Sequence, residues 1–351
     1  MISNEYETII IGAGMAGITC ARELHRLGKS AVIIEKSRGV GGRMATRRLF
    51  ETIADHGSRY LSLEDMGFEL EIDSAWLKLC RELISAKVIR SWTNTVHSLD
   101  PEGHLAQDRD LHPSYIAPDG MSSIAKYLAA NLDIRFNQKV IKLVPLNEGW
   151  QITMEGEPEV QIFAKKIIST MPAPQIMNLL APVEQSLPKA IIEQLRSTEF
   201  DANIAVIAGY SHAQIAEWAQ HYPGVCAVTC LSDPLLDWLG VDSSKRDGAA
   251  PPVFVLQSTA DFAKRHLNPT DSHLAATALL NQAGDRFLSW LARPQWQQTQ
   301  VWRYAFARNP LKVPYLQIEH PAPLILTGDW CGGRKVENAV LAGAAVAKLF
   351  A

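Results

Sequence analysis

Residues 6–35 constrain the fold of this chain more than any other stretch. Tyr6-Glu-Thr-Ile-Ile-Ile11 ends in a β-branched apolar run. Gly12-Ala-Gly14-Met15-Ala16-Gly17 follows at once, then a segment of helical spacing from Ile18 to Leu27, then Gly28, then Ala31-Val-Ile-Ile-Glu35. The apolar run suits a buried parallel strand, and Gly28 suits the residue after a helix end. The order predicts a strand, a tight turn, a helix and a second parallel strand, with a dinucleotide-binding turn at its centre. Gly12 permits the sharp turn, Gly14 lets a pyrophosphate approach the backbone, and Gly17 lets helix and strand pack closely. The first helical turn, Met15 and Ala16 included, offers unpaired N–H groups and a positive dipole end to phosphates. Glu35 ends the second strand about 20 residues on, where an acid binds ribose hydroxyls and repels a ribose 2′-phosphate. On its own this unit fits an NAD-dependent dehydrogenase as readily as a flavoprotein.

The next segments choose between them. Lys36-Ser-Arg-Gly-Val-Gly41-Gly42-Arg43-Met44 places a second flexible loop and a cation beside the pyrophosphate, and Ala54-Asp55-His56-Gly57-Ser58-Arg59-Tyr60 comes soon after. This pattern resembles the flavin amine oxidase superfamily, in which the first βαβ unit binds FAD and the Gly-Gly-Arg segment continues the site. Further elements resemble the renalase-like branch of that superfamily: Pro118-Asp-Gly120-Met121-Ser122, Ser169-Thr170-Met171-Pro172, Val301-Trp302-Arg303-Tyr304-Ala305, Thr327-Gly328-Asp329, and Val336-Glu337-Asn338-Ala339-Val340-Leu341-Ala342-Gly343. They run from one end of the chain to the other. One departure stands out: renalase-type chains usually carry Gln where this one has Arg59, which bears on substrate choice.

The resemblance implies an α/β fold: a Rossmann-like FAD-binding domain of the glutathione-reductase/amine-oxidase type, with an inserted α+β substrate domain built on a mixed sheet. It assigns 1–65, 114–174 and 323–351 to a discontinuous FAD domain, and 66–113 and 175–322 to the substrate domain. It implies an FAD site drawn from Gly12, Gly14, Met15, Ala16, Gly17, Glu35, Lys36, Gly42, Arg43, Met44, His56, Gly57, Val140 (backbone, near the adenine), Thr170, Gly328, Asp329, Asn338 and Ala339. For the substrate pocket it points to Arg59, Tyr60, Trp302, Arg303 and Tyr304, with His56 within reach. The implied activity is oxidation of 2- or 6-dihydro isomers of NAD(P)H to NAD(P)+ by hydride transfer to flavin N5, with O2 reoxidising the flavin to give H2O2. FAD is then the resident cofactor, and the dihydronicotinamide nucleotide is a small-molecule substrate seated elsewhere. An amine oxidase or desaturase shares these elements. A non-catalytic binding protein shares the architecture, as in Rab-GDP dissociation inhibitors, because fold alone does not establish chemistry.

Other features bound the reading. Only one G-x-G-x-x-G is present and there is no C-x-x-C, which argues against a two-nucleotide flavin reductase. No G-x-S-x-G element or H-E-x-x-H pattern occurs, so neither nucleophilic nor metal-assisted hydrolysis is expected, and no metal site is assigned. The five cysteines are scattered and odd in number, as expected of reduced thiols in a cytoplasmic setting. Cys226 and Cys230 read as core residues. Cys331 follows the Gly328-Asp329 element, whereas the cysteine that attaches FAD in some amine oxidases precedes it, so the expected FAD is non-covalent. Net charge is −3 with no basic block, which excludes nucleic acid as an expected partner. The apolar run from Ala339 to Ala347 falls far short of the roughly 20 residues a membrane span needs, so no membrane association is expected.

Along the chain, Ala75 to Ile84 and Met121 to Leu132 read as helices. Residues 134–136, 139–144, 150–154 and 162–169 read as strands of the FAD domain. Residues 204–210, 225–231 and 253–258 read as strands of the substrate-domain sheet. Leu274 to Ala292 reads as one helix, and the polar stretch Asp242 to Gly248 as a surface loop.

Overall fold

The computed structural model describes residues 5–62, 74–93, 95–107, 114–248 and 250–351. The boundaries expected at 65/66 and 113/114 fall outside these residues, as does most of the polar segment 100–113 beyond Gln107.

Among the described residues, eight strands form the first sheet. β1 (Glu5–Ile11) lies between β2 (Val32–Ile34) and β13 (Glu157–Ser169), parallel to both, and β10 (Ile134–Arg135) adds beyond β2. β11 (Val140–Leu146) and β12 (Gly149–Met154) extend β13 antiparallel, while β20 (Leu324–Leu326) pairs parallel with it and carries β19 (Leu316–Ile318). The chain thus returns to the central sheet beside β13 at its C-terminal end. Ile9, Ile10, Ile33, Ile167 and Ile168 are fully buried, as the continuous apolar runs of a strand covered on both faces require.

Helix α1 (Met15–Arg26) follows β1 and ends where the pattern indicated. Gly28 takes φ +70°, its N–H bonds His25 O, and Lys29 N–H bonds Leu24 O. That is a Schellman ending, in which only glycine is unstrained. α2 (Ala75–Ser85), α3 (Ser122–Leu128) and α9 (Val336–Ala347) gather around α1 through Ile18, Trp76, Leu83, Ile124 and Val340. α1 and α9 cross closely because Gly343 has no side chain: a Cβ there would lie 2.3 Å from Ala16 O. α4 (Ala173–Leu180) and α5 (Lys189–Ser197) cover β11–β13 through Ile176, Leu180 and Leu195.

The second sheet has seven described strands in the order β18–β14–β17–β16–β15–β7–β8. These are β7 (His97–Leu99), β8 (Leu105–Gln107), β14 (Phe200–Gly209), β15 (Ala227–Cys230), β16 (Leu236–Val241), β17 (Val253–Ser258) and β18 (Trp296–Ala307). Parallel pairing of β7 with β15 makes it mixed. Its faces alternate as strand geometry dictates. Ile204, Val206, Phe254, Leu256 and Leu239 pack under α6 (His212–His221), α7 (Ala260–Arg265) and α8 (Ser272–Arg286). Ile207, Val253 and Val255 point the other way and meet Leu49 and Ala54 of the hairpin β3 (Thr46–Leu49)–β4 (Thr52–Asp55). A small sheet of β5 (Leu61–Ser62), β9 (Ser114–Ile116) and β6 (Arg90–Thr93) fills the remaining side.

Three local expectations are corrected. α2 packs with α1 and α9 beside the first sheet, and Arg22 pairs with Glu82 across that contact; among the described residues after α2, the chain joins the second sheet at β7. The helix expected from Leu274 to Ala292 stops at Arg286, and a separate short turn covers Ser289–Ala292. That turn folds back on α8 where Gly284 leaves room; a Cβ there would sit 3.0 Å from Ala292 Cβ. Finally, Asp242–Gly248 is not a plain surface loop. Asp242 and Lys245 are buried, and with Arg246 they close an ion cluster around Asp55.

Candidate active site

The sequence places four short segments where the two sheets meet. The first is the turn after β1. Gly12 takes φ +107°, and a Cβ on it would lie 2.8 Å from Thr170 Oγ1. Thr170 in turn donates to Ile11 O and Gly12 O, at 3.0 and 3.1 Å. Gly17 sits on Gly12, where a Cβ would lie 2.1 Å from Gly12 O. Gly14 is the N-cap of α1 and meets nothing within 4 Å at its Cβ position. No side chain caps this helix, and no acid lies in its first turn. Its amides are therefore left to an outside acceptor, and the positive end of the helix suits an anion.

Glu35 follows β2 and bonds back to this turn. It is buried, and its oxygens accept from Ala13 N–H (2.7 Å) and Ser37 N–H (2.8 Å). Each carboxylate oxygen keeps a second lone pair, so hydroxyl donors can still be bound. Lys36 is exposed beside it, and Val140 is nearly buried at the start of β11.

The second segment is Gly41-Gly42-Arg43. Gly41 and Gly42 both have positive φ, and a short bridge joins Gly41 to Gly14. Arg43 reaches the third segment with two parallel bonds, Nη1 to Asp329 Oδ2 (2.7 Å) and Nη2 to Asp329 Oδ1 (2.6 Å), and its Nη1 also donates to Ala305 O at 3.0 Å. The Gly-Gly-Arg loop and the Gly328-Asp329 element are thereby one unit. Met44 is fully buried in the helical core, as is Met15 nearly so. Asn338 holds the turn into α9: its Oδ1 accepts from Arg334 and Lys335 N–H, both at 3.1 Å. Ala339 packs in the core beside it.

The fourth segment, Asp55 to Tyr60, runs between the two sheets. A Cβ on Gly57 would stand 1.9 Å from Arg43 O, so only glycine fits. His56 O accepts from Trp302 Nε1 at 2.8 Å, and the two rings stack at 5.4 Å. Gly57 O accepts from Gln257 Nε2 at 2.9 Å. Arg59 gives Nε to Gln257 Oε1 (2.6 Å), pairs with Asp237, and lies 4.6 Å over the Trp238 ring. Tyr60 packs against Trp92 and Trp238. Burial pushes the His56 imidazole down to about 4, helped by the Arg47 cation and opposed by Asp55. The ring is neutral at ordinary pH.

Of the residues expected near the substrate, the structure brings His56, Arg59, Tyr60 and Trp302 together. Arg303 is exposed and donates to Leu267 O at 3.3 Å, and Tyr304 packs edge-on against Phe200.

Comparisons with known proteins agree with this geometry. Residues 10–67 match the NAD(P)-binding Rossmann-like domain, and residues 66–349 match the flavin-containing amine oxidoreductase family. The chain belongs to the flavin-containing amine oxidoreductase family. It is 23% identical to renalase of Mus musculus over 339 residues, covering 93% of this chain and 91% of that protein. Among solved structures, wild-type putrescine oxidase bound to putrescine superposes with a TM-score of 0.71 at 13% identity, covering 99% of each chain. Cyclohexylamine oxidase from Brevibacterium oxydans IH-35A gives 0.67 at 14% identity over 98% of each.

This amine oxidoreductase is accordingly an FAD-dependent enzyme, and its own residues fit that cofactor. The uncapped α1 terminus and the open face of Gly14 suit a pyrophosphate. Glu35 suits ribose hydroxyls, and the Gly57 strip passes between the Arg43 loop and the second sheet. Sequence reasoning missed Asp55, Asp237, Trp238, Asn203 and Gln257. Gln257 carried a faint signal, an amide in the otherwise apolar strand Val253-Phe-Val-Leu-Gln-Ser258. Asp55 stood directly before His56, but nothing local announced its partners.

Asp55 is the most connected of these. Its Oδ1 accepts from Thr46 Oγ1 (2.6 Å) and Met121 N–H (2.8 Å); its Oδ2 pairs with Arg246 at 2.7 Å and lies 3.6 Å from Lys245. Burial alone would raise its pKa, but Lys245 and Arg246 outweigh that and hold the carboxyl below its ordinary range. One carboxylate thereby ties the hairpin, the Gly120-Met121 turn and the second sheet together beside His56.

Proposed function

We propose that this enzyme oxidises 2- or 6-dihydro isomers of NAD(P)H to NAD(P)+, with O2 as final acceptor and H2O2 as the second product. The observation that carries the reading is the end-to-end match to renalase, together with the renalase-like elements spread along the chain. Per turnover, dihydronicotinamide, O2 and one proton give NAD(P)+ and H2O2. Bound FAD supplies the two-electron acceptor chemistry.

Aromatic residues beside the His56 strip support a flat substrate ring. Trp302 and His56 form a stacked aromatic pair, and on the same face of the second sheet Gln257 Nε2 donates to Gly57 O and Asn203 Nδ2 to Ser258 O. Planar aromatic walls favour a planar substrate ring. Loss of hydride from a dihydronicotinamide requires no base to remove a proton. A neutral His56 is compatible with that, serving as a wall and hydrogen-bonding group and not as a titrating acid. Trp92, Trp238 and Tyr60 pack together on one side, with the Arg59 guanidinium over Trp238 and the Lys245 ammonium over Trp92.

The test is product analysis in air. Incubation with 2- or 6-dihydroNAD(P) should yield NAD(P)+ and H2O2 in equal amounts. Formation of aldehyde from amines, with no turnover of either dihydronicotinamide isomer, would replace this reading with an amine oxidase.

A further inference from the structure

The strip His56-Gly57-Ser58 is gripped from both sides. On one side, Ser58 N–H donates to Arg43 O at 2.9 Å, and the missing side chain of Gly57 lets the strip lie against that carbonyl. On the other, two side chains of the second sheet hold consecutive carbonyls, Trp302 that of His56 and Gln257 that of Gly57. Trp302 pairs with Asn203 and Gln257 with Ala205, so both donors stand on one face of the sheet, flanking β14. Gln257 is 2% exposed and has no freedom to look elsewhere. Its Oε1 is fixed by Arg59 Nε, which dictates that Nε2 faces Gly57 O.

A trans peptide keeps its N–H opposite its C=O. Holding His56 O on Trp302 therefore turns the Gly57 N–H away from the second sheet. The side chains thus determine which backbone donors the strip offers to the first domain.

We propose that Gln257 is a positioning residue: with Trp302 it sets the orientation of the His56–Ser58 peptides and, through them, the polar surroundings of bound FAD. This rests on FAD binding and not on the identity of the substrate, so the readouts need no substrate. Gln257→Glu keeps an acceptor for Arg59 but cannot donate to Gly57 O. Trp302→Phe keeps a ring against His56 but loses the donor to its carbonyl. The FAD holoenzymes of both variants should show altered flavin-band circular dichroism and a shifted flavin midpoint potential. Their Kd for FAD should rise about tenfold, the scale of one lost hydrogen bond. Wild-type spectra, potential and Kd in either folded variant would overturn the assignment. A colourless wild-type protein that takes up no FAD would instead overturn the cofactor reading beneath it. If Gln257→Glu fails to fold, Trp302→Phe decides alone.

Discussion

Arg43 and Asp329 stand 286 residues apart in sequence and meet in a two-point ion pair, with Asp329 almost entirely buried. The pair locks the loop after β2 to the turn before α9, two elements that arrive at the phosphate end of the site from opposite ends of the chain. Removing one partner leaves a buried charge without compensation, at a cost of about 3–5 kcal/mol. Arg43→Ala should therefore lower the melting temperature and release FAD during gel filtration. Arg43→Lys should rescue only in part, because a single ammonium cannot reproduce the parallel bonds.

Gly57→Ala should be more damaging than its size suggests. A methyl 1.9 Å from Arg43 O cannot be relieved by a rotamer change, since the obstacle is backbone. The expected outcome is a destabilised protein with a low ratio of flavin to protein absorbance. Gly14→Ala makes the control: its Cβ meets nothing in the protein, so folding should survive while FAD affinity falls.

The buried cluster of Asp55, Asp242, Lys245 and Arg246 should matter to stability more than to chemistry. Asp55→Asn leaves two buried cations with one carboxylate and should cost roughly 3 kcal/mol in denaturant unfolding. Arg246→Met leaves two buried carboxylates with Lys245 alone, so the double variant should lose less than the sum of the singles.

Acid should weaken the fold in a defined window. The His56 imidazole titrates near 4 in the folded chain, below its ordinary value of 6.5. Between those values the unfolded chain binds a proton that the folded one refuses, so stability falls as pH drops from about 6.5 towards 4, by on the order of 3 kcal/mol. Asp55 acts with the same sign at lower pH: its carboxyl is depressed, so its contribution is present above the ordinary carboxylate range and is lost as pH falls through its folded value. Unfolding free energies of wild type and His56→Phe across this range check the first effect. The gap between them should change across the window and stay flat above it.

Cys331 is buried, its thiol is pushed well up by burial and the nearby Asp329, and its Sγ points to Leu326 O at 3.9 Å. It is a poor thiolate nucleophile where it stands. Acid precipitation should release the yellow chromophore into the supernatant, and Cys331→Ser should leave FAD content unchanged.

The parts of this site that sequence revealed are those whose chemistry is local. Gly12, Gly14 and Gly17 serve one turn, and the glycines of the Gly41-Gly42-Arg43 loop adopt conformations that favour glycine itself. What stayed hidden depends on partners far along the chain. Asp242, Lys245 and Arg246 have the composition of a solvated loop, and only Asp55, nearly two hundred residues earlier, makes them a core. Gln257 is a lone amide near a strand end in the sequence, and its role comes only from a backbone carbonyl of a segment 200 residues away. α8 ends at Arg286 with no Gly or Pro directly after it, and the chain folds back onto Gly284 in its last turn. Arg303 shares a strand with Trp302, but its side chain emerges on the exposed side and reaches Leu267.

The central claim is tested most directly by anaerobic stopped-flow mixing of the FAD enzyme with 2-dihydroNAD(P), 6-dihydroNAD(P), ordinary 4-dihydroNADH and a panel of amines. Rapid bleaching of the flavin by a 2- or 6-isomer, with no comparable bleaching by 4-dihydroNADH or amines, is the predicted result. Bleaching by amines alone would contradict it.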